Sequence, residues 1–214
     1  MEVFNIVDDY LGVKRVALRV AEWLKKSVHE SGIDEIVKLN RNDVTRRIDW
    51  LAEEMVIKLL EEEGYGGIVV TEERGVVHLG DGEENFIFIV DPLDGSNNYL
   101  AGIPYASVSI GVAEMKNHPS LNDVVYGIIA SVFTEEVYEA KKGAGAYLNG
   151  SRLPLRRDFY LGDFILAYLN AEAYDIFRKV EEVIGPFKLR SLGSASLDIC
   201  LVASGRATAF IDIR

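Results

Sequence analysis

A five-residue apolar run followed by an acidic turn constrains this chain more than any other part of its sequence. Residues 86–90 read Phe-Ile-Phe-Ile-Val, a pattern typical of a short strand buried on both faces. The sequence Asp-Pro-Leu-Asp-Gly at 91–95 favours a turn, so we expect the strand to end at Asp91. The carboxylates of Asp91 and Asp94 then face the same small volume, where they repel each other strongly unless a cation lies between them.

The oxygen donors of this turn indicate which cation the site favours. Besides the two carboxylates, Leu93 offers its carbonyl and Ser96 its hydroxyl. Hard oxygen ligands of this kind suit Mg²⁺ or Mn²⁺ better than zinc.

A second acidic strand end lies earlier in the chain. Residues 68–71 have the composition of a strand, and Glu72 and Glu73 follow directly. The turn-forming residues at 80–82 favour adjacent strands, so we expect the two acidic ends to meet. Taken alone, two consecutive glutamates are more simply a solvated loop.

If the two ends meet, their oxygens form a cluster with a recognisable chemistry. Its members are Glu72, Asp91, Asp94 and the Leu93 carbonyl. Clusters of this type hold two divalent ions about 3.5–4 Å apart and catalyse in-line displacement at phosphorus. Bound cations can lower the pKa of a water molecule to about 7, so no covalent phosphoenzyme is needed.

The composition limits the class of protein and of partner. The chain has 214 residues and is 49% hydrophobic, enough for one large domain or two lobes that share a core. Its net charge of −11 argues against a nucleic-acid partner, since there is no basic stripe. The single cysteine favours a reducing compartment. Without an apolar run of membrane-spanning length or a signal-peptide pattern, we expect a cytoplasmic protein that does not bind membranes.

Hydrophobic periodicity predicts helices and strands along most of the chain. Helices are predicted at 7–30, 49–63, 172–184 and 194–204. Further strands are predicted at 105–113, 124–133, 137–140, 164–169 and 207–213, in a largely antiparallel sheet. Segment 38–43 is predicted to be a loop and the glycine-rich segment 142–150 a turn. We expect an N-terminal α+β lobe over 1–150 and a second α/β lobe over 151–214.

Two residues within these helices have alternative interpretations. Asp49 lies at the start of a helix, where a carboxylate is commonly an N-terminal cap. Cys200 lies within the last helix, where a small buried hydrophobic residue is a simpler interpretation than a reactive thiol.

Residues 91–99, Asp-Pro-Leu-Asp-Gly-Ser-Asn-Asn-Tyr, resemble the signature of the inositol monophosphatase and archaeal fructose-1,6-bisphosphatase family. That signature is Asp-Pro-(Ile/Leu)-Asp-Gly-(Ser/Thr)-x-Asn-(Phe/Tyr), and every fixed position matches. The resemblance implies an α/β fold built as a layered αβαβα sandwich. It also implies a homodimer that hydrolyses a phosphate monoester of a sugar or inositol with two or three Mg²⁺ ions, Mn²⁺ being possible.

The resemblance also implies roles for individual residues. Glu72, Asp91 and the Leu93 carbonyl match the ligands of a first metal, and Asp91 bridges to a second that Asp94 also binds. Glu73 matches a supporting acid. Glu72, Asp49 and Ser96 match the catalytic set, in which the Ser96 hydroxyl, linked to Glu72 or Asp49, orients the attacking water.

The family's substrate-binding face matches residues of both lobes. The matching positions are Asp94, Gly95, Ser96, Arg190, Gly193, Ser194, Ala195, Asp212 and Arg214. Asp212 corresponds to an acid that accepts hydrogen bonds from sugar hydroxyls. Arg190 and Arg214 correspond to arginines that neutralise a second phosphate. If both have this role, the substrate is a bisphosphate rather than inositol monophosphate alone. The alternative for each arginine is a surface ion pair.

One part of the family pattern has no counterpart here. The family places a final metal-ligating Asp a few residues after the position of Arg214. We therefore expect this sequence to be part of a longer protein, with an incomplete second lobe and a weakened second metal site. Two rival functions remain: a nucleotide 3′-phosphatase of the adenosine bisphosphate type, and a non-catalytic metal-binding relative.

Overall fold

The computed structural model of the chain describes residues 10–39, 44–80, 85–154, 164–168 and 173–213. These residues form helices α1 (Leu11–Ser27), α2 (Arg47–Glu62), α3 (Ser96–Leu100), α4 (Ala173–Ile184) and α5 (Ala195–Ala203). The helices predicted at 7–30, 49–63, 172–184 and 194–204 are confirmed as α1, α2, α4 and α5, apart from residues 7–9 and 172, which lie outside the described residues. No helix among the described residues is both long enough and apolar enough to span a membrane.

An eight-stranded sheet forms the centre of the protein. Its strands are β3 (Gly67–Thr71), β4 (Gly75–Leu79), β5 (Phe86–Asp94), β6 (Ser107–Glu114), β7 (Val124–Ser131), β8 (Val137–Lys141), β9 (Gly145–Leu148) and β10 (Ser151–Arg152). The spatial order is β10-β9-β8-β7-β6-β5-β3-β4. Only the β3–β5 pair is parallel, and the other neighbours in this sheet are antiparallel. The predicted, largely antiparallel meander is therefore confirmed.

Helices α1 and α2 cover one face of this sheet. Their buried side chains recur every three or four positions, so each helix directs one apolar stripe toward the core. The stripe of α1 comprises Val13, Val16, Ala17, Val20 and Leu24. It shares one hydrophobic cluster with strand residues such as Phe88 and Ile110.

Strand β5 is longer than its sequence predicts. It continues through Pro92 to Asp94, so the predicted end at Asp91 was wrong. Asp91 pairs with Ser109 and Asp94 with Ser107, so three steps along β5 match two along β6. This extra residue is a bulge, which tolerates Pro92 because a bulge leaves one residue outside the regular ladder.

Two further predictions from local sequence need correction. Lys38, predicted to lie in a loop, belongs to β1 (Ile36–Leu39), which pairs with β2 (Val44–Arg46) in an antiparallel hairpin. Residues 40–43 lie outside the described part of the chain. Strand β4, between the two predicted acidic strands, was missed because its residues show no clear alternation of buried and exposed side chains. Segment 142–150 forms turns at 142–144 and 149–150, as predicted, but residues 145–148 between them are strand β9.

A second, three-stranded sheet lies in the C-terminal part of the chain. Its central strand is β11 (Phe164–Ala167), flanked in parallel by β12 (Lys188–Arg190) and β13 (Ala209–Ile211). Phe177 of α4 packs against Ile165 and Ala167 of β11. Leu166, between these two, is fully buried and points to the opposite side of the strand.

Helix α5 joins the two sheets. Its Leu197 and Cys200 pack against Tyr138 and Leu148 of the eight-stranded sheet, and the helix also contacts β13. The order is therefore two helices, the large sheet, α5, the small sheet and α4, which confirms the layered αβαβα architecture. Burial raises the pKa of the Cys200 thiol to about 12, in agreement with its interpretation as a buried hydrophobic residue. The lobe boundary between residues 150 and 151 stays a prediction; β10, just beyond it, still pairs with β9.

Candidate active site

The parallel pairing of β3 and β5 determines where the acidic residues lie. Val70 is paired with Ile89, so the carboxyl ends of both strands reach the same edge of the sheet. Glu72 follows β3 directly, and its charge raises the pKa of Asp91 on β5. The two acidic ends meet, as the sequence predicts.

A cavity of about 540 Å³ opens at this edge. Six of its lining residues are acids: Asp49, Glu53, Glu72, Glu73, Asp91 and Asp94. None of the residues that line it in the described part of the chain is Lys, Arg or His. The cavity therefore repels a phosphate ester unless cations offset its negative charge.

Burial and mutual repulsion perturb two of these carboxyl groups. Burial, the charge of Asp94 and then the charges of Glu72 and Asp49 raise the pKa of Asp91 from 3.8 to about 7, although the Leu93 N–H, 3.2 Å from Oδ1, opposes this. Burial, with the charges of Glu73 and Glu72, likewise raises the pKa of Asp49 to about 7. Each group thus holds a proton near neutral pH until a positive charge replaces it.

Asp49 combines two of its possible roles. Its Oδ2 accepts a hydrogen bond of 3.3 Å from the Arg46 backbone N–H at the start of α2, which supports the interpretation as a cap. The same carboxyl group lines the cavity. Capping and a place in the wall of the cavity are therefore compatible, and the catalytic role of Asp49 stays a prediction.

The donor set of the cavity fits a hard divalent cation. Leu93 and Ser96 line it together with the six acids, so carboxylate, carbonyl and hydroxyl oxygens are available as donors. Across the described ranges, no three His, Cys, Asp or Glu side chains already form a group able to hold a metal ion. The acids surround the cavity rather than converge on one point, so the identity and number of ions stay predictions.

Asp94 connects the acidic edge to helix α5. Its Oδ2 accepts hydrogen bonds of 2.7 Å from the Ser194 hydroxyl and the Ser196 N–H, and Ser196 also donates through its hydroxyl. Its Oδ1 accepts from the Ala195 N–H at 3.2 Å. The carboxylate thus lies at the positive end of α5, which stabilises its charge. Ser107, opposite Asp94 in the sheet, adds a hydroxyl contact of 2.7 Å to Ser196.

Asn98 fastens the turn after β5 to the loop before α5. Its Nδ2 donates to the carbonyls of Tyr105 and Leu192, at 2.9 and 2.7 Å. Sequence reasoning assigned Asn98 no role, since a fixed position in a signature does not reveal its partner.

Gly95 and Gly193 lie close together in this joint, each with a positive φ of 92°. A Cβ on Gly95 would lie 2.9 Å from the Tyr105 carbonyl oxygen and 3.1 Å from that of Gly193. Both contacts are with backbone, which cannot rotate away. Glycine is therefore required at 95 for its conformation and for its space.

Replacing Gly95 with Ala should lower the free energy of unfolding by about 2–4 kcal/mol, because the left-handed conformation and the backbone clash both add strain. Gly143→Ala is the matched control: Gly143 has a φ of 79°, but no atom lies within 4 Å of the place that a methyl group would take, so about 1 kcal/mol is expected. Urea unfolding of both variants measures the difference. Equal losses would contradict the close approach at Gly95.

Glu73 and Glu53 occupy supporting positions beside the cavity. The Thr45 hydroxyl donates to the Glu73 carboxylate, and Lys38 donates to its backbone carbonyl at 2.9 Å. These contacts fit the supporting role predicted for Glu73. Sequence reasoning missed Glu53, although a signal existed: Glu53 lies within the apolar stripe of α2, next to Ala52.

The remaining predicted substrate residues are placed differently. Gly193 and Ala195 line the cavity, and Ser194 lines a small adjoining pocket. Arg190, on the edge strand β12, and Asp212, just after β13, are exposed and are not among the lining residues. Arg214 lies outside the described residues. The roles of Arg190, Asp212 and Arg214 stay predictions.

Comparisons with known proteins agree with this architecture. The model of a family described as "Inositol monophosphatase family" matches residues 9–214. A fructose-1,6-bisphosphatase/inositol-1-monophosphatase from Methanothermobacter thermautotrophicus is 35% identical over 213 residues, covering 94% of this chain and 75% of that protein. The crystal structure of an extragenic suppressor protein, suhB, from Bartonella henselae superposes with a TM-score of 0.79 at 25% identity, over 97% of this chain and 79% of that one.

A further relative carries a different name. A bifunctional NADP phosphatase/NAD kinase from Methanocaldococcus jannaschii is 31% identical over 231 residues, covering 93% of this chain. The present chain spans 40% of that protein's length.

Proposed function

We propose a function from the premise that this chain belongs to the inositol monophosphatase family, whose named relatives are phosphatases. The acidic cavity binds divalent cations, with Mg²⁺ as the working ion, and hydrolyses a phosphate monoester of a sugar or of inositol. The observation that carries this proposal is the set of six carboxylates, with no basic residue, among the described residues lining one cavity.

Electrostatics connects the cavity to its substrate. A phosphate monoester is an anion and cannot enter a group of carboxylates without a compensating positive charge. Glu72, Asp91, Asp94 and the Leu93 carbonyl would hold the cations. When bound, these ions lower the pKa of a water molecule and neutralise charge on the leaving oxygen.

The other residues of the site orient the reactants. Asp49 and Ser96 line the cavity and would orient the attacking water as hydrogen-bond partners. Helix α3 begins at Ser96, so the first N–H groups after Gly95 have no partner within the helix and can donate to a phosphate oxygen. Gly193 and Ala195 also line the cavity and would border the ester's leaving group.

A nucleotide substrate is the second candidate. The name of the relative at 31% identity includes NADP phosphatase, and Tyr168 and Ile199 place an aromatic and an aliphatic side chain on the cavity wall. Such a wall can pack against a base or a nicotinamide ring. Sugar and inositol phosphates need only the polar part of the cavity.

Phosphate release from a substrate panel tests the proposal. We expect hydrolysis of fructose 1,6-bisphosphate and inositol 1-phosphate in Mg²⁺, with loss of at least a hundredfold in EDTA and recovery when Mg²⁺ is restored. NADP and adenosine 3′,5′-bisphosphate in the same panel identify the nucleotide alternative if they react faster. Release that persists in EDTA would contradict the metal requirement. Mn²⁺ binding without hydrolysis of any ester would identify a non-catalytic relative.

Assembly and location are part of the same proposal. We infer a homodimer in the cytoplasm from the family resemblance and the single cysteine. Light scattering of the purified chain measures the oligomeric state.

A further inference from the structure

We propose that Glu53 is a positioning residue: it fixes the turn that presents Glu72 to the cavity and thereby sets the affinity of the cavity for divalent cations. This inference rests on the proposed function, because it concerns the same cavity. It adds a residue to which neither the family signature nor the predicted ligand set assigns a role.

The burial of Glu53 requires an explanation. Its side chain is 1% exposed, whereas that of its neighbour Glu54 is 60% exposed. A buried carboxylate loses much of its hydration, and helix α2 would pack as well with an apolar side chain at this position. A group that is costly to bury in this way must have compensating partners.

Those partners all belong to one turn. The Oε1 atom of Glu53 accepts a hydrogen bond of 2.9 Å from the Glu73 backbone N–H, and Oε2 accepts one of 3.0 Å from the Thr71 hydroxyl. The Thr71 hydroxyl oxygen in turn accepts from the Arg74 backbone N–H at 3.3 Å. The carboxylate therefore contacts the turn on both sides of Glu72 in the sequence.

A cationic neighbour completes the environment of Glu53. The Nε atom of Arg74 lies 3.8 Å from Oε2, and the Arg74 guanidinium also lies over the Trp50 ring, 4.0 Å from its centre. Trp50 belongs to the same helix as Glu53. Helix α2 thus contacts Thr71 and Arg74, the first and last residues of the turn, and also Glu73. The side chain of Glu72, between them, is exposed and lines the cavity.

This arrangement is the one expected of a residue that orients a metal ligand. Hydrogen-bond partners behind the ligands fix ligand orientation, and their loss typically lowers metal affinity 10–100-fold. Without Glu53, the partly buried Glu73 N–H would lose its acceptor, and the turn would rearrange to find another. Glu72 would then be displaced from the other acids.

Mn²⁺ binding to the 214-residue chain, measured by calorimetry, tests the proposal. Glu53→Met removes both acceptors at similar length, so we expect the Mn²⁺ dissociation constant to rise about 10–100-fold. Glu53→Gln is the conservative variant: its carbonyl oxygen can face the Glu73 N–H, while the Thr71 hydroxyl can turn to accept from the amide. We expect Glu53→Gln to stay within about threefold of wild type.

Glu61→Met is the matched control, since it changes an exposed glutamate of the same helix, and its affinity should equal that of wild type. If Glu53→Met does not fold, Thr71→Val removes one partner while the carboxylate remains, and a loss of about 3–10-fold is expected. Urea unfolding without metal is measured on every variant.

Each outcome decides between explanations. Glu53→Met with wild-type affinity and reduced stability would show a purely structural role and overturn the proposal. Equal losses in Glu53→Met and Glu53→Gln would assign the effect to charge rather than to positioning, and would also overturn it. If the wild-type chain itself does not bind Mn²⁺, the proposed function is contradicted. This outcome can be told apart from failure of the Glu53 proposal, because it is seen without any substitution.

Discussion

Asp91→Asn should lower metal-dependent phosphate release by at least a thousandfold while leaving the chain folded. A thousandfold corresponds to about 4 kcal/mol of transition-state stabilisation, the loss expected if Asp91 holds the cations as proposed. The side chain keeps its size, and its oxygen can still accept from the Leu93 N–H. The loss should therefore be in turnover and metal affinity, not in folding.

The same variant should be more stable than wild type when cations are absent. Asp94, Glu72 and Asp49 all repel the Asp91 carboxylate, and this repulsion disappears with its charge. At pH 8 in EDTA we expect Asp91→Asn to gain roughly 1–3 kcal/mol in unfolding free energy. Asp175→Asn, at an exposed position in the first turn of α4, is the control: activity should not change, and stability should fall by no more than about 1 kcal/mol, the contribution of a carboxylate in a first helical turn. Near-normal turnover of Asp91→Asn would contradict the metal role of Asp91.

Without divalent cations, the protein should become less stable as the pH rises from 5 to 8. The pKa of Asp91 is about 7 in the folded chain against an ordinary value of 3.8, so between these values the folded state retains a proton that the unfolded state has released. The stability associated with this group is complete below pH 3.8 and is lost as the pH rises through 7. Roughly 3 kcal/mol is lost between pH 5 and pH 8 for Asp91, and Asp49 acts in the same direction.

Mg²⁺ should reverse this loss. A ligand at a hundred times its dissociation constant stabilises the folded state by about 2.7 kcal/mol, and cations bind best to the ionised acids that prevail at pH 8. Urea titrations at pH 5 and 8, with and without Mg²⁺, measure the effect. Asp91→Asn is the control, since its unfolding free energy should depend less on pH. Some pH dependence should remain, because burial raises the pKa of Asp198 to about 6. A stability that does not change from pH 5 to pH 8 in EDTA would contradict the prediction.

The parts of the fold that sequence reasoning predicted depend on local patterns. Apolar stripes identified α1 and α2, and short runs of β-branched and aromatic residues identified β3 and β5. The sequence placed the acidic ends of these strands together, but for an incomplete reason. A single turn would make β3 and β5 antiparallel, with their carboxyl ends at opposite edges of the sheet. The ends meet because β4, which was missed, returns the chain and makes β3 and β5 parallel. Asp49, Glu72, Asp91 and Asp94 accordingly line one cavity, as predicted.

The parts that were missed depend on contacts between residues distant in the sequence. The end of β5 was misplaced because the bulge opposite Ser107 and Ser109 is a property of the paired strand. The contact of Asn98 with Leu192 spans 94 residues, and no local pattern reveals it. Glu53 was given no role: its place in the apolar stripe of α2 could be seen in the sequence, but its partner, the Glu73 N–H, could not.

The joint formed by Gly95, Asn98 and Gly193 has a consequence for how this molecule can change over evolution. The segment that carries Asp91 and Asp94 is hydrogen-bonded directly to the loop before α5, which also lines the cavity, so a shift of one wall of the cavity moves the other. A change in substrate preference would then come from exchanging individual side chains such as Tyr168 and Ile199. Replacing the whole C-terminal part with that of a distant relative would separate Asp94 from the groups that bind it.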